Sequence, residues 1–383
     1  MKLLRITTVP QSLTGLLKGQ LKFMSQHGFE VIAVSSKGEE LDTVSREEGV
    51  VTYEVEMTRR ITPFKDLIAV WKLYRLFKRE NPDIVHTHTP KAGTVGMLAA
   101  KLAGVPIRLH TVAGLPLLVT KGVKRRLLDF VENTTYSFAT RIYPNSAALK
   151  EIIIKNRYTS TNKLKVIGFG SSNGIDTSFF DPMQFTGQDK ANIRESLGLN
   201  SENRVFIFVG RLVKDKGVNE LIEAFVKLNK KFTDTRLLLL GSYERELDPL
   251  LEFTEQQIEG NPSIIGLGFR KDVRPFLAIG DIFTFPSYRE GFPNSLMQAC
   301  AMEIASIATD INGCNEIIDD RINGLLVPPR NTCALYDRMV ELLEDVQLRK
   351  DMASRSREKM VERYERQFVW NEILQEYKSM LNV

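Results

Sequence analysis

The chain has 383 residues, 43% of them hydrophobic and 26% charged. That balance excludes a collagen, a disordered tail and a disulfide scaffold, and the length suggests two or three domains at roughly one per 150 residues. Fifty-two basic against 47 acidic residues leave a net charge of +5, too small an excess to announce a nucleic-acid partner.

Along the first half, apolar runs at 3–8, 31–35, 83–87, 107–112 and 165–169 read as buried strands. The segments between them carry helical spacing, at 16–27, 64–79 and 127–138. The alternation pauses around 176–189 and restarts with strands at 205–209, 237–240, 264–265, 282–285 and 305–308. Helices at 218–228 and 294–302 lie between these, and a last amphipathic helix spans 366–380. Strands alternating with helices predict parallel sheets covered on both faces. We expect an α/β protein of two doubly wound, Rossmann-like domains facing across a cleft. The first would span 1–180 plus the final helix, 366–383, and the second 181–365.

Split at residue 180, the small net charge proves to be a cancellation. Residues 1–180 hold 26 basic and 15 acidic side chains, and residues 181–383 hold 26 and 32. Cys300, Cys314 and Cys333 have no metal-ligand spacing and read as buried thiols of a reducing compartment. No stretch of 18 residues is free of charge, so no membrane-spanning helix is expected. The opening runs straight into a strand pattern rather than a signal peptide, which predicts a cytoplasmic protein.

Two segments carry the chemistry. Gly210-Arg211-Leu212-Val213-Lys214-Asp215-Lys216-Gly217 follows a strand and opens a helix. Cations at a helix N-terminus oppose the macrodipole, an arrangement that makes sense when an anion sits among Arg211, Lys216 and free amides. By itself the segment reads equally well as an exposed basic loop. Tyr288-Arg289-Glu290-Gly291-Phe292-Pro293-Asn294-Ser295-Leu296 also leaves a strand. With Pro293 in the first turn, the amides near Ser295 and Leu296 would face a phosphate, and Glu290 would accept hydrogen bonds from sugar hydroxyls, although by itself the segment reads better as a plain helix cap in which Glu290 favours the dipole. Gln298 would reach the same ligand from further along the helix. His86 and His88 fall on one side of a strand, where a lining or structural role outweighs metal binding. No Asp-x-Asp triplet, Gly-x-Gly-x-x-Gly or Gly-Lys-Ser/Thr loop occurs, which removes the main support for a metal-bound diphosphate, NAD or ATP.

Taken in order, these pieces resemble glycosyltransferase family four, the retaining, nucleotide-sugar-dependent enzymes of GT-B fold. The most specific part is Gly210-Arg211…Lys216-Gly217 followed by Pro286-Ser287…Glu290-Gly291-Phe292-Pro293-Asn294. Weaker matches are Asp83-Ile84-Val85-His86-Thr87-His88, Asn173-Gly174-Ile175-Asp176, Leu240-Gly241 and Asn323-Gly324-Leu325-Leu326-Val327-Pro328-Pro329. Ser12-Leu13-Thr14-Gly15 and the stretch 111–116 look like the branch that builds bacterial capsule or O-antigen. The resemblance implies that Arg211 and Lys216 bind the donor diphosphate and that Glu290 contacts the transferred sugar. Gly210 and the backbone from Gly291 through Phe292, Pro293, Asn294 and Ser295 to Leu296 would hold sugar and phosphates. Gly15, in the loop after the first strand, would let the chain approach the donor.

Three positions depart from the family. Gln298 stands where a second glutamate is usual, Ala113 replaces a histidine in Thr111-Val112-Ala113-Gly114, and Glu303-Ile304-Ala305 replaces a Gly-x-Pro turn. His88 and His110 are the candidates to supply the missing histidine on the substrate side. The expected reaction moves a sugar from a nucleoside diphosphate, by analogy UDP, to a saccharide or polyprenyl-diphosphate-linked acceptor. It would proceed without metal or other cofactor, since fixed cations take the place of Mg²⁺. Residues 101–150 hold eight bases and two acids. Among them the basic, apolar stretch 121–131 would meet an anionic membrane surface peripherally. A nucleotide-sugar epimerase and an inactive sugar-nucleotide-binding protein are the alternatives.

Overall fold

The computed structural model describes residues 1–58, 62–115, 117 and 120–382. The chain divides into two units, Met1–Gly174 with Arg366–Val383, and Ile175–Glu365. Each is built on one six-stranded parallel sheet.

In the first unit the strands are β1 (Lys2–Ile6), β2 (Glu30–Ser35), β3 (Val51–Glu54), β4 (Ile84–Thr87), β5 (Ile107–Val112) and β6 (Arg141–Pro144). Their order is β3-β2-β1-β4-β5-β6. Successive side chains of a strand point to opposite faces, and the core divides accordingly. Leu4, Ile6, Ile32, Val34 and Val85 pack on one side with the helices Pro63–Glu80 and Pro90–Ala103. Leu3, Val31, Ala33, Ile84 and Leu109 pack on the other, with Gln20–Gln26 and the last helix, Arg366–Leu381. That last helix buries Val369, Trp370, Ile373, Leu374 and Tyr377 in this unit, so the chain's end belongs to its first sheet.

The second unit holds β7 (Arg204–Val209), β8 (Thr235–Leu240), β9 (Ile264–Gly268), β10 (Ile282–Phe285), β11 (Ala305–Thr309) and β12 (Leu325–Val327), ordered β12-β11-β10-β7-β8-β9. Read from its own first strand, this order is the same as in the first sheet. Both reverse direction beside their first strand, between β1 and β4 and between β7 and β10. Doubly wound sheets bind ligands at such a switch point, beyond the carboxyl ends of the strands. Central strands buried on both faces explain the near-continuous apolar runs, such as Arg204-Val-Phe-Ile-Phe-Val209, that make them visible in the sequence.

Several expectations need correction. Residues 165–169 do not form a strand: Lys165 N–H bonds Ile142 O (3.1 Å), and a turn closed from Gly170 N–H to Ile167 O (3.0 Å) then bends the chain away. The sixth strand is instead Arg141–Pro144. The helix expected over 16–27 is two helices, Pro10–Leu16 and Gln20–Gln26, because the Glu48 carboxylate accepts the amides of Gly19 (2.5 Å) and Lys22 (3.0 Å) and starts the second one. Cys333 is exposed, whereas Cys300 and Cys314 are buried. The first unit ends at Gly174, where Ile175 pairs with Glu365 instead of continuing to 180. Pro116, the end of one motif, lies outside the described residues.

Beneath the last helix lies an unusual polar core. Arg5, fully buried on β1, donates from Nε to His88 Nε2 (2.9 Å) and from Nη2 to Gln20 Oε1. His86 bonds Tyr377 Oη through Nδ1 and Thr111 Oγ1 through Nε2 (2.7 Å). Burial holds His86 and His88 well below the usual imidazole range, with Arg5 adding to the effect, and pushes His110 down to about 4. The unfolded imidazoles titrate near 6.5, so on acidification the unfolded state takes up protons that the folded state refuses. This stability is fully present above about pH 6.5 and is lost as pH falls toward the folded value. We expect the urea midpoint to drop between about pH 7 and pH 5, with His110 alone approaching about 1.4 kcal/mol per pH unit. A flat pH profile would contradict neutral, buried imidazoles.

Candidate functional site: the loops at the second switch point

β7 and β10 are neighbours, so the loops leaving their carboxyl ends meet. The β7 loop runs through Arg211 into a single 3₁₀ turn, Lys214–Lys216, and then into the helix Val218–Lys231. The β10 loop runs through Ser287 and Glu290 into the helix Asn294–Ala301. Lys216 Nζ forms an ion pair with Glu290 Oε1, and the two side chains are 17% and 13% exposed. Ser287 Oγ donates to the same carboxylate oxygen (2.7 Å), and the lysine lies 5.5 Å from the Phe285 ring centroid. Tyr288 N–H bonds Asp215 O (2.9 Å) and Arg289 Nε bonds Asp215 Oδ2 (2.8 Å), tying one loop to the other.

Gly217 makes this contact possible. Its φ is +68°, and a Cβ there would overlap the carbonyl oxygen of Pro286. Gly217→Ala should therefore combine left-handed strain with a backbone clash, costing roughly 2 kcal/mol. We expect a lower melting temperature and weaker nucleotide binding; an unchanged variant would mean the loops are not held in contact.

Beyond Glu290, the first intrahelical bond of Asn294–Ala301 is made by Met297 N–H to Pro293 O (3.2 Å). The amides of Asn294, Ser295 and Leu296 precede it, and such amides suit an anion. Pro293 is the N-cap rather than a first-turn residue, and Gln298 lies one turn in, on the face of Asn294. The Phe292 and Leu296 side chains are buried, with Phe292 against the Tyr364 ring (5.2 Å). These two residues can offer only backbone to a ligand. Gly210 closes β7, its N–H bonded to Leu240 O (2.9 Å). Arg211, 47% exposed, pairs with Glu244 from the β8 loop.

Sequence reasoning missed Asn312 and Gly313. Asn312 Nδ2 donates to the Glu290 carbonyl, and Gly313, at φ +80°, lies so close to Gly291 O that a Cβ would collide. Together they hold the backbone at Glu290 and Gly291. The Asn-Gly pair after β11 was the available signal, a turn dipeptide whose target only the fold reveals.

The first-unit candidates fall elsewhere. Gly15 is not in a loop but inside the helix Pro10–Leu16, where a Cβ would meet nothing within 4 Å. His110 is buried against Thr87 Oγ1 (2.8 Å) and the backbone of Gly93, on the sheet face opposite His86. Alternation along β5 thus turns it into the core, away from the substrate side expected for it. His88 lines a hollow with Thr111, Asn145, Ser171 and Ser172. Arg5 occupies its Nε2, which leaves the neutral ring's proton on Nδ1, a buried atom without a protein partner. Among the described residues no group of three or more His, Cys, Asp or Glu could hold a metal ion.

Two doubly wound sheets, one bearing a cation–carboxylate pair and free helix amides at its switch point, are the architecture of the GT-B fold. The chain belongs to the group 1 glycosyl transferases: residues 189–359 match that family model, and residues 20–170 match the glycosyl transferase 4-like domain. It is 33% identical over 381 residues to the capsular polysaccharide biosynthesis glycosyltransferase CapM of Staphylococcus aureus, covering 99% of this chain and 97% of that protein. It is 31% identical to the UDP-Gal:alpha-D-GlcNAc-diphosphoundecaprenol alpha-1,3-galactosyltransferase of Escherichia coli, covering 76% and 73%. The same fold occurs in HepE of Anabaena, solved in complex with UDP, at a TM-score of 0.82 and 19% identity over 99% of this chain and 100% of that one.

Proposed function

We propose that the protein transfers a sugar from a UDP-linked donor to a polyprenyl-diphosphate-linked saccharide in the assembly of a cell-surface polysaccharide, with retention and without a metal ion. The observation that carries this reading is the pairing of Lys216 with Glu290 at the second switch point. It puts a cation for the diphosphate beside a carboxylate for sugar hydroxyls. The names of the relatives support the donor and the acceptor, since the E. coli protein is named for UDP-Gal and an undecaprenyl-diphosphate acceptor. A Campylobacter jejuni relative, 30% identical over 79% of this chain and 79% of its own, is likewise named for a diphospho-undecaprenol substrate.

As the anomeric C–O bond breaks, negative charge grows on the departing diphosphate. Lys216, Arg211 and the amides of Asn294, Ser295 and Leu296 are fixed in advance to receive that charge, an arrangement worth roughly a few kcal/mol per donor. The acceptor oxygen then bonds the anomeric carbon on the same face, and its proton passes to the leaving phosphate. Glu290, held by Lys216 and Ser287, orients the sugar through its hydroxyls. Gln298, an amide where a carboxylate is usual, can both donate to and accept from the ribose hydroxyls.

The test is UDP release from a panel of UDP-sugars, with and without a lipid-linked acceptor and with a chelator present. Release that depends on acceptor and survives chelation is expected. Tight UDP binding with no turnover on any donor would contradict transfer, and loss on chelation would overturn the metal-free reading. Sugar interconversion without acceptor would point to the epimerase alternative.

A further inference from the structure

We propose that the helix Pro63–Glu80 is a second membrane-docking element, which lays an exposed apolar stripe on an anionic lipid surface beside the stretch 121–131. This extends the membrane reading of 121–131 and rests on the lipid-linked acceptor proposed above. One face of the helix is accounted for by the core, where Ala69, Leu73, Leu76 and Phe77 are buried. The opposite face is also apolar. Phe64, Leu67, Ile68 and Trp71 recur at i, i+3, i+4 and i+7, a continuous stripe over two turns, and are 86%, 64%, 55% and 55% exposed. Solvent-facing positions of a soluble helix normally carry polar side chains, so a second stripe opposite the buried one calls for a partner.

The stripe has a neighbour of the same character. On Gly122–Phe138, Val123, Leu127 and Phe130 are exposed. The helix Pro90–Ala103 packs against both stripe-bearing helices, so all three lie in one layer. Each follows a strand of the parallel sheet and therefore starts at the carboxyl edge of that sheet. Both stripes occupy the N-terminal halves of their helices, so they collect at the edge where a doubly wound sheet takes its ligand.

Charge selects the occupant. Lys65, Lys72 and Arg75 are exposed on the first helix, and Lys121, Lys124 and Arg126 on and just before the second. Of the acids on Pro63–Glu80, Asp66 is paired with Lys91 (2.6 Å) and Glu80 with Lys2 (3.1 Å) and Arg79 (2.9 Å). On the other helix Asp129 is paired with Arg125 (2.8 Å). Apolar side chains flanked by cations fit the boundary between acyl chains and anionic headgroups, where lysine and arginine reach back to the phosphates. The Arg75 guanidinium, 4.9 Å from the Trp71 ring, gives that indole a cationic neighbour suited to the same depth. A second copy of the chain would bring like charges together, which argues against self-association through this face.

Tryptophan fluorescence reads the contact directly, because of the two tryptophans Trp71 is exposed and Trp370 is 5% exposed. The intact protein is mixed with phosphatidylcholine vesicles with and without phosphatidylglycerol. We expect a blue shift, and quenching by brominated acyl chains, only with the anionic lipid. The double variant Leu67→Ser, Trp71→Ser alters solvent-facing positions and should fold normally. Its partitioning onto anionic vesicles, followed by flotation, should fall about tenfold or more, while transfer to a water-soluble acceptor analogue is unchanged. Wild-type-like partitioning of this variant would overturn the proposal. If Lys121→Gln, Lys124→Gln, Arg126→Gln abolished binding in that case, the reading of 121–131 would stand alone. A wild-type dimer that the double variant converts to monomer, with no vesicle binding by either, would make a second copy the occupant and overturn the proposal as well.

Discussion

Lys216→Ala should reduce sugar transfer by roughly two to three orders of magnitude, the loss typical of removing one preorganised donor from a developing anion. Lys216 is 17% exposed, lies 5.5 Å from the Phe285 ring centroid and is paired with Glu290, whose carboxylate Ser287 also bonds. Its charge is therefore held in place before the donor arrives. Because the charge it meets grows as the C–O bond breaks, most of the loss should appear in kcat and less in KM. The variant also leaves Glu290 with Ser287 as its side-chain donor, so circular dichroism and a melting curve must accompany the rates. Arg211→Ala should cost less, because that guanidinium is 47% exposed and shares its charge with Glu244. Near-normal transfer by the folded Lys216 variant would refute the diphosphate assignment.

Tyr377→Ala should destabilise the first unit by about 3–5 kcal/mol, the range for removing a large buried aromatic side chain. The ring is fully buried, packs edge-on to Phe29 (5.9 Å) and lies beneath the Arg5 guanidinium (5.9 Å), while its hydroxyl bonds His86. Truncation would leave His86 Nδ1 without its partner and open space over a buried cation, two costs that add to the lost packing. Tyr377→Phe keeps the ring and should cost about 1–3 kcal/mol. Urea unfolding of both variants checks this. A small effect from the alanine variant would mean that the last helix is not part of the first unit's core.

The sequence shows the central strands best, and the reason is burial. Runs such as 205–209, and 282–285 with Thr284 its one polar side chain, lie between two helical layers. The edge strands Val51–Glu54 and Leu325–Val327 are too short, and the first too exposed, to rise above the background. Arg141–Pro144 was hidden by its terminal proline. The split between Pro10–Leu16 and Gln20–Gln26 depends on Glu48, more than twenty residues away, which no local pattern can report.

The same division applies to the site. Arg211, Lys216 and Glu290 stood out only through the order of motifs that resembles the family, because each charged segment by itself reads as an ordinary loop or cap. Glu244, Asn312 and Gly313 did not, since each acts through a partner that only the sheet order brings near. His110 shows the opposite error. It was a candidate to replace the family histidine missing at Ala113, yet its register on β5 turns it into the core against Gly93. Arg5, an arginine in a strand otherwise apolar from Leu3 to Ile6, gave no sign that Gln20 and His88 would bury it.

The central claim is that the β7 and β10 loops hold the diphosphate of the donor. Titration calorimetry of UDP and of uridine against wild-type protein and Lys216→Ala tests it most directly. We expect wild type to favour UDP strongly over uridine, and the variant to lose about 2–4 kcal/mol of that preference while binding uridine equally well. Equal preference for UDP over uridine in the two proteins would contradict the account.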